Sequence, residues 1–468
     1  MKHKLSRRRF LKAAGAAASA AVIVPAVFDF ERLAQAAPLV RRNIASLTNL
    51  SSDIVSYKKA IKAMKALPSS NPLSWEYQAA IHGTTLAGAF TAWNTCEHHT
   101  FFFWSWHRMY LYWFERICRK MSGNNSFALP FWNYSASAAQ RFLPAMFRDT
   151  SSELFVANRN AAMNNGTGSL PAGWVSTAAG MAETDFADGQ DALEGTPHDL
   201  VHVGVGGGMG DVPTAALDPV FYVHHCNMDR LWNLWLAQGG GRSNPLGDSS
   251  WKNTQFTFFD EKGAQVKMTG CQVLRAAQQL NYTYEGEPSQ VNQFCLRVFR
   301  PPFVFQKRVL IRKPIPPLRL RSERVSFPIE IRQLRTQLNR LAQSRAETVV
   351  LDLEEVTADR PPGVAFEVYV GLPEGAEPDT SSPHFVGQFA LFSVGVRSRS
   401  HHGARPARFS FRVNRAVAAA LARNEDRLDV TIVPRGIDVR GQRQKGRPAA
   451  EVRLGSAALS VKRQRRRQ

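Results

Sequence analysis

Eight of the twelve histidines in this 468-residue chain fall between His82 and His225. His98, His99 and His107 sit in CEHHTFFFWSWHRMYLYWFER (96–116), among phenylalanine, tryptophan and tyrosine. His198 and His202 lie in TPHDLVH, and His224 and His225 in DPVFYVHHCNMDRLW. Runs this aromatic belong in a core, and a buried imidazole needs a partner for its ring nitrogens. Metal coordination is the partner that several histidines can share. His198 and His202 are four apart, so both rings leave one face of one helix and can hold one ion. His225 and Asp229 share that spacing, which places a carboxylate where it can orient a ligand. His82, His98 and His107 offer three more imidazoles on the N-terminal side. Two sets of three imidazoles, with no thiolate pair and no inward carboxylate pair, suit neither structural zinc nor a di-iron carboxylate bundle. Imidazole-only sites suit copper and zinc, and copper binds nitrogen more tightly.

Helices must position these rings. Trp106, Tyr110, Trp113 and Ile117 recur at helical spacing and predict a helix over 100–120. Helical patterns also cover 53–66 and 78–92, the second carrying His82. Further helices are expected at 197–203 and 218–238, the latter stopped by Gly239-Gly240-Gly241. Residues 127–136 read as a buried irregular turn, and 158–191, rich in Gly, Ala, Ser and Asn, as a long loop. Short β-like runs at 347–354, 365–371, 385–396, 407–413 and 428–433 predict a small β-sandwich. The expected fold class is mainly α, with a four-helix-bundle metal domain followed by this C-terminal β domain.

Composition bounds the rest. Hydrophobic content of 44% and ten tryptophans exclude a disordered chain. The net charge of +21 is unevenly spread: 297–345 holds thirteen Lys/Arg against two Glu, and the last seven residues carry five more. Such a patch could meet nucleic acid or acidic lipid. No aromatic-interleaved motif accompanies it, so a solvated linker and tail are expected and nucleic acid is not. Five cysteines without a CxxC pair argue against a disulfide scaffold and a zinc ribbon. Before the metal domain, SRRRFLK (6–12) precedes an apolar stretch over 13–28, and Ala34-Gln35-Ala36 offers small residues for cleavage. This pattern resembles a bacterial twin-arginine signal, with Arg7 and Arg8 as the pair, and implies export to the periplasm or beyond. Membrane contact is then expected only during export. The expected division is a signal over 1–36, the metal domain over 37–295, a basic Pro/Arg-rich linker over 296–345, the β domain over 346–436 and a basic disordered tail over 437–468.

The motifs resemble the tyrosinase and polyphenol oxidase family, the type 3 dicopper proteins. That family's first copper signature is matched by His98, Phe103, Trp106-His107-Arg108, Leu111 and Glu115, with Trp104 standing where a smaller apolar residue is usual. The second, Asp-Pro-x-Phe-aromatic-two residues-His-three residues-Asp, is matched by Asp218-Pro219, Phe221-Tyr222, His225 and Asp229. On these patterns His225 is preferred to His224, and His98 to His99. The resemblance covers roughly residues 40 to 290. FALPFWNY, GTPHDLVHVGVGG and the pair Tyr282 and Tyr284 look like plant polyphenol oxidases, and 365–370, 385–392 and 428–435 resemble the C-terminal β domain of their latent forms.

The resemblance implies two copper ions, one on His82, His98 and His107 and one on His198, His202 and His225, with dioxygen as co-substrate. The implied reaction oxidises o-diphenols to o-quinones, and in tyrosinases also hydroxylates monophenols. Glu194 stands where plant relatives place an acid that holds a water near the metals. Asp199 stands where strong monophenolases often have Asn, a donor that an ionised carboxylate cannot replace. Val203 would admit bulky phenols, Phe221 and Asp229 would support the ligands, and Cys96 could join His98 in a thioether or remain a free buried thiol. The β domain is expected either to cap the site or to be merely structural. Small phenols are the expected partners, with a copper-delivery protein as a further one. The competing reading is a hemocyanin-like dioxygen-binding protein.

Overall fold

The computed structural model describes residues 37–86, 90–288, 295, 303–320, 324–342, 344, 347–392, 406–437, 443–445 and 450–466. The signal-like stretch 1–36 lies outside the described residues. No helix among those described is long and apolar enough to cross a membrane.

The N-terminal half is a helical body. β1 (Leu39–Arg41) is followed by α1 (Ser52–Lys65), α2 (Trp75–His82), α3 (Phe103–Ser122), α4 (Phe186–Leu193), α5 (Leu200–Val205) and α6 (Val220–Ala237), with shorter turns between. α3 packs against both α1 and α6. Almost every side chain of α3 is buried, because its aromatic residues occupy all of its faces. α6 ends just before Gly239–Gly241, all at positive φ, as the sequence predicts. The helix predicted over 78–92 is shorter: it stops at His82. The loop expected over 158–191 contains a full helix, α4, because Asp185 caps it by accepting from the amides of Ala187 and Asp188. The helix predicted over 197–203 is present: a turn over Glu194–Asp199, kinked at Thr196, runs straight into α5. The hairpin of β2 (Phe256–Phe259) and β3 (Gln265–Met268) and the strand β4 (Tyr282–Tyr284), parallel to β1, complete this body.

The C-terminal part is a β structure larger than expected. It comprises β5 (Phe303–Leu320), β6 (Val325–Glu330), β7 (Glu347–Ala358), β8 (Ala365–Val370), β9 (Phe385–Ala390), β10 (Ala407–Arg412), β11 (Arg427–Ile437), β12 (Arg443–Lys445) and β13 (Val452–Arg466). One sheet has the order β10-β7-β13-β5, the other β12-β11-β8-β9 with β6 on β11. The expected linker over 296–345 is therefore corrected: most of it is β5, β6 and the helix Arg335–Ala342. Its prolines suggest a linker, yet β5 is an edge strand, where a residue without an amide proton is tolerated. The expected disordered tail over 437–468 is corrected too. β13 lies between β7 and β5, with Val452, Leu454, Ala457 and Leu459 in the β core. Terminal arginines mask that apolar pattern in composition.

Candidate metal centre

The first three histidines come from three different local structures. His82 closes α2, where Gly83 turns extended at φ −168°. A Cβ at Gly83 would lie 2.7 Å from the Val212 carbonyl, so this close approach requires glycine. The same carbonyl faces His82 Nδ1 at 3.2 Å. His98 stands in the loop before α3, its Nδ1 3.3 Å from Cys96 Sγ. His107 lies in α3 and donates from Nδ1 to the Phe103 carbonyl at 2.8 Å, one turn back. Ring centroids are 5.2 Å apart for His82 and His98, 5.1 Å for His98 and His107 and 5.8 Å for His82 and His107.

The second three stand opposite. His198, in the kinked turn, is 2.9 Å by Nδ1 from Asp199 Oδ1. His202, one turn on in α5, donates from Nδ1 to the Met209 carbonyl at 2.7 Å. His225, in α6, places Nε2 3.4 Å from His202 Nε2 and stacks on His107 at 4.3 Å and 10°. The structure thus brings all six predicted histidines into one buried chamber.

The tautomers are set by what holds Nδ1. Where a carbonyl takes the Nδ1 proton, Nε2 is left with a lone pair. The Nε2 atoms of His82, His98, His107 and His198 are buried without a hydrogen-bond partner. Native cores rarely leave such atoms orphaned, and convergent orphaned imidazoles fit a metal. Burial lowers the pKa of every one of these rings, with neighbouring imidazoles adding to it, and takes His107 to about 3. Neutral imidazole is the form that ligates.

His224 joins them. Ligand atoms of His198, His202, His224 and His225 all lie within 4.8 Å of one another. Neither His224 nitrogen has a hydrogen-bond partner, and its ring stacks on His198 at 5.3 Å. Spacing from Asp229 points past it to His225, so motif reasoning missed its place in the cluster; the paired histidines were the available signal. A second cluster groups His82, Cys96 and His98.

Two carboxyls border the chamber. Glu194 accepts the His99 amide at 2.7 Å, while Glu194 Oε2 and Asp199 Oδ2 are buried without a hydrogen bond among the described residues. Burial pushes both carboxyls well up, and for Glu194 the neighbouring Asp199 adds to it. His99 lies between them, 4.0 Å from Glu194 and 3.9 Å from Asp199, in the left-handed region at φ 50°. Phe221 wedges between His82 and His225, with centroids 4.7 and 4.2 Å away. Beneath the chamber, Asp229 binds Arg108 and accepts the hydroxyls of Tyr282 and Tyr284, each at 2.6 Å. Arg41 reaches both Asp229 and Glu115.

The β domain closes the remaining side. Phe392, just beyond β9, stacks on His202 at 3.7 Å and 12° and lies 5.6 and 5.7 Å from His98 and His198. It is fully buried and packs in the core of the helical body. Val203 packs beside Trp174, Leu200, Ala365 and Ala390. A disulfide joins Cys271 to Cys295, which the lack of a CxxC pair did not foreshadow; Cys96, Cys118 and Cys226 are buried thiols.

The chain matches the common central domain of tyrosinase over residues 72–178 and 149–238, and the polyphenol oxidase middle domain over 246–293. Residues 319–445 match a domain of unknown function. It is 36% identical over 280 residues to a tyrosinase of Hahella sp. (strain CCB-MM4), covering 49% of this chain and 59% of that protein. It is 28% identical over 447 residues to a chloroplastic polyphenol oxidase of Malus domestica, covering 81% and 72%. The chain therefore spans little more than half of the first relative's length. Among solved structures, latent apple tyrosinase superposes with a TM-score of 0.62 at 23% identity, covering 91% of this chain and 97% of that one. A functional unit of octopus hemocyanin does so at 0.52 and 18%, covering 88% and 99%. At these identities the structures show a shared fold.

Proposed function

We propose, from the matches to the central domain of tyrosinase and the polyphenol oxidase middle domain, that the chain is a dicopper phenol oxidase of that family, using dioxygen to convert o-diphenols to o-quinones. The observation that carries this reading is the set of orphaned Nε2 atoms turned into one chamber. His82, His98 and His107 would hold one copper, and His198, His202 and His225 the other. Bound there, the pair would supply two-electron redox chemistry toward dioxygen.

The chain's own residues do the rest. Backbone carbonyls at Phe103, Val212 and Met209 orient His107, His82 and His202, and Phe221 and Phe103 fill the space between rings. Phe103 lies 4.7 Å from both His107 and His198. Glu194 and Asp199 offer a proton relay beside the chamber. Burial favours the protonated carboxyl of Asp199 in the copper-free chain, while bound copper would favour the ionised one, which accepts where an Asn would donate. The 3.3 Å approach of Cys96 Sγ to His98 Nδ1 supports a thioether between them, with a buried thiol as the alternative.

Phe392 occupies the approach to His202, which supports a capping role for the β domain. Latency follows: a phenol ring cannot stack on His202 while Phe392 does. The Arg7-Arg8 pair ahead of an apolar stretch supports export by a twin-arginine-type route. A chamber this enclosed also supports loading by a copper-delivery protein before the cap closes.

The test is dioxygen consumption by copper-loaded protein with 4-methylcatechol and with p-cresol, before and after limited trypsin treatment. Catechol oxidation, rising after trypsin, is expected. Two bound coppers with no uptake under either condition would sink the oxidase and favour a dioxygen-binding protein.

A further inference from the structure

A second cavity, of about 380 Å³, lies between the two parts of the chain, away from the histidines. A space this size is within the range of small-molecule sites. Its walls differ in charge. The helical body contributes Glu183, Asp188 and Asp191, and the β domain contributes Lys307, Arg408, Arg412 and Lys462.

The four cations are already matched. Lys307 and Arg408 both reach Asp352, at 2.7 and 3.0 Å, and Arg408 also reaches Glu354 at 3.6 Å. Arg412 pairs with Glu183 at 3.0 Å, and Lys462 with Asp188 at 2.7 Å. An anion entering here would meet no unmatched cation. What remains over is acceptor capacity. Asp191 has no ion pair or hydrogen bond among the described residues, and its side chain keeps accessible surface on the cavity. Packed protein around that surface, with Asp188 close by, raises its carboxyl to about 7. Gln388, also on the wall, donates to the Gly173 carbonyl at 2.6 Å and ties β9 to the helical body.

The rest of the β wall is aromatic. Phe385, Phe409 and Phe411 line it, and Phe409 stacks on Phe389 at 4.4 Å. Gly387 lets Phe411 close in, since a Cβ there would lie 2.5 Å from that ring. A flat ring fits such a wall, and its substituents must be donors that bring no negative charge. Both conditions describe a phenol with more than one hydroxyl, which is neutral near pH 7.

We propose that this cavity is a second binding site, for a neutral dihydroxylated aromatic ring that lies on the phenylalanine wall and whose hydroxyls engage Asp191. It goes beyond the oxidase reading and needs no metal. Its position gives it a route to the first chamber. β9 carries Gln388 on the cavity wall, and Phe392 follows four residues later on His202. Phe409 also touches His99, at 6.0 Å.

The experiment is calorimetric titration of the copper-free full chain with 4-methylcatechol, and of Asp191→Ala, Asp191→Asn and Ala192→Phe, the last of which fills the cavity from the helical side. Circular dichroism and Tm identify the variants that fold. One site is expected in the parent protein, about tenfold weaker in a folded Asp191→Ala variant and absent in Ala192→Phe. Asp191→Asn, which keeps an acceptor, should bind within a few-fold of the parent. No heat at millimolar ligand would overturn the proposal. Undiminished binding in the folded variants would also overturn it, placing the ring in the histidine chamber instead. Tighter binding of benzylamine than of 4-methylcatechol would overturn it in favour of a cation. Because no copper is present, none of these outcomes depends on whether the chain is an oxidase.

Discussion

The ring of Phe392 lies 3.7 Å from that of His202, nearly parallel to it at 12°. On the proposed function a planar phenol would stack here, and the position is taken by a residue of the β domain. Truncation should therefore release activity rather than damage it. Phe392→Ala, loaded with copper, is expected to turn over 4-methylcatechol about tenfold faster or more without trypsin, since about 1.4 kcal/mol of plug stability is a factor of ten in open population. Copper content should not change. An unaltered rate at full copper occupancy would refute the plug.

Asp229 is the anchor beneath the second set of histidines. Burial alone would raise its pKa, but Arg108 and Arg41, with the hydroxyls of Tyr282 and Tyr284, hold it below the usual value. Asp229→Ala leaves the buried Arg108 guanidinium without its carboxylate, while Arg41 keeps Glu115. A loss of about 3–5 kcal/mol is expected in urea unfolding. Tyr284→Phe removes the hydrogen bond given to Asp229 and the one accepted from Arg41, and should cost about 2 kcal/mol.

Much of this was legible before any coordinates, and the reason is local. His198 and His202 at four residues, Asp218-Pro219 to Asp229, and the aromatic repeat of α3 are short-range patterns that a helix obeys directly. What was not legible depends on distant pairing. β5 and β13 read as linker and tail because arginine and proline dominate their composition, and only their pairing over 303–320 and 452–466 makes them strands. Phe392 is an ordinary phenylalanine in sequence, and its contact with His202 spans the two parts of the chain. The same holds for Cys271 and Cys295, which only the fold brings together. His224 was legible but outweighed, since the motif assigns the ligand role to its neighbour.

His224 and His225 give opposite predictions for metal content. His225 Nε2 meets His202 Nε2, whereas His224 stacks flat on His198. His225→Ala should retain one copper per chain after loading and dialysis, and His224→Ala should retain two. Metal analysis reads both. One copper in His224→Ala with two in His225→Ala would exchange their roles.

The copper-free chain should be acid-sensitive for a reason set by its buried imidazoles. His99 is lowered to about 4, and His107 and His224 to about 3, all chiefly by burial. The unfolded chain binds protons at these rings near pH 6.5 while the folded chain does not. Their contribution to stability is thus whole above about pH 6.5 and falls steadily toward pH 3. Thermal melts of copper-free protein should show Tm declining below pH 6.5. A flat Tm down to pH 4.5 would contradict neutral, buried rings.

Asp191 has the opposite sign. Its carboxyl titrates at about 7 in the folded chain, against about 4 when unfolded. Below pH 4 both states hold the proton and the residue is neutral to stability. Between pH 4 and 7 the unfolded chain gives up its proton and the folded chain resists, so stability is lost as pH rises, and the loss is complete above pH 7. Asp191→Asn removes that loss. Its Tm should match the parent at pH 4 and exceed it at pH 8, with the gap opening between. The carboxyl keeps accessible surface, so the gain will be smaller than a fully buried charge would give. An Asn variant less stable than the parent at pH 8 would mean that ionised Asp191 is paired in solution. The acceptor offered to a phenol in the second cavity would then be gone as well.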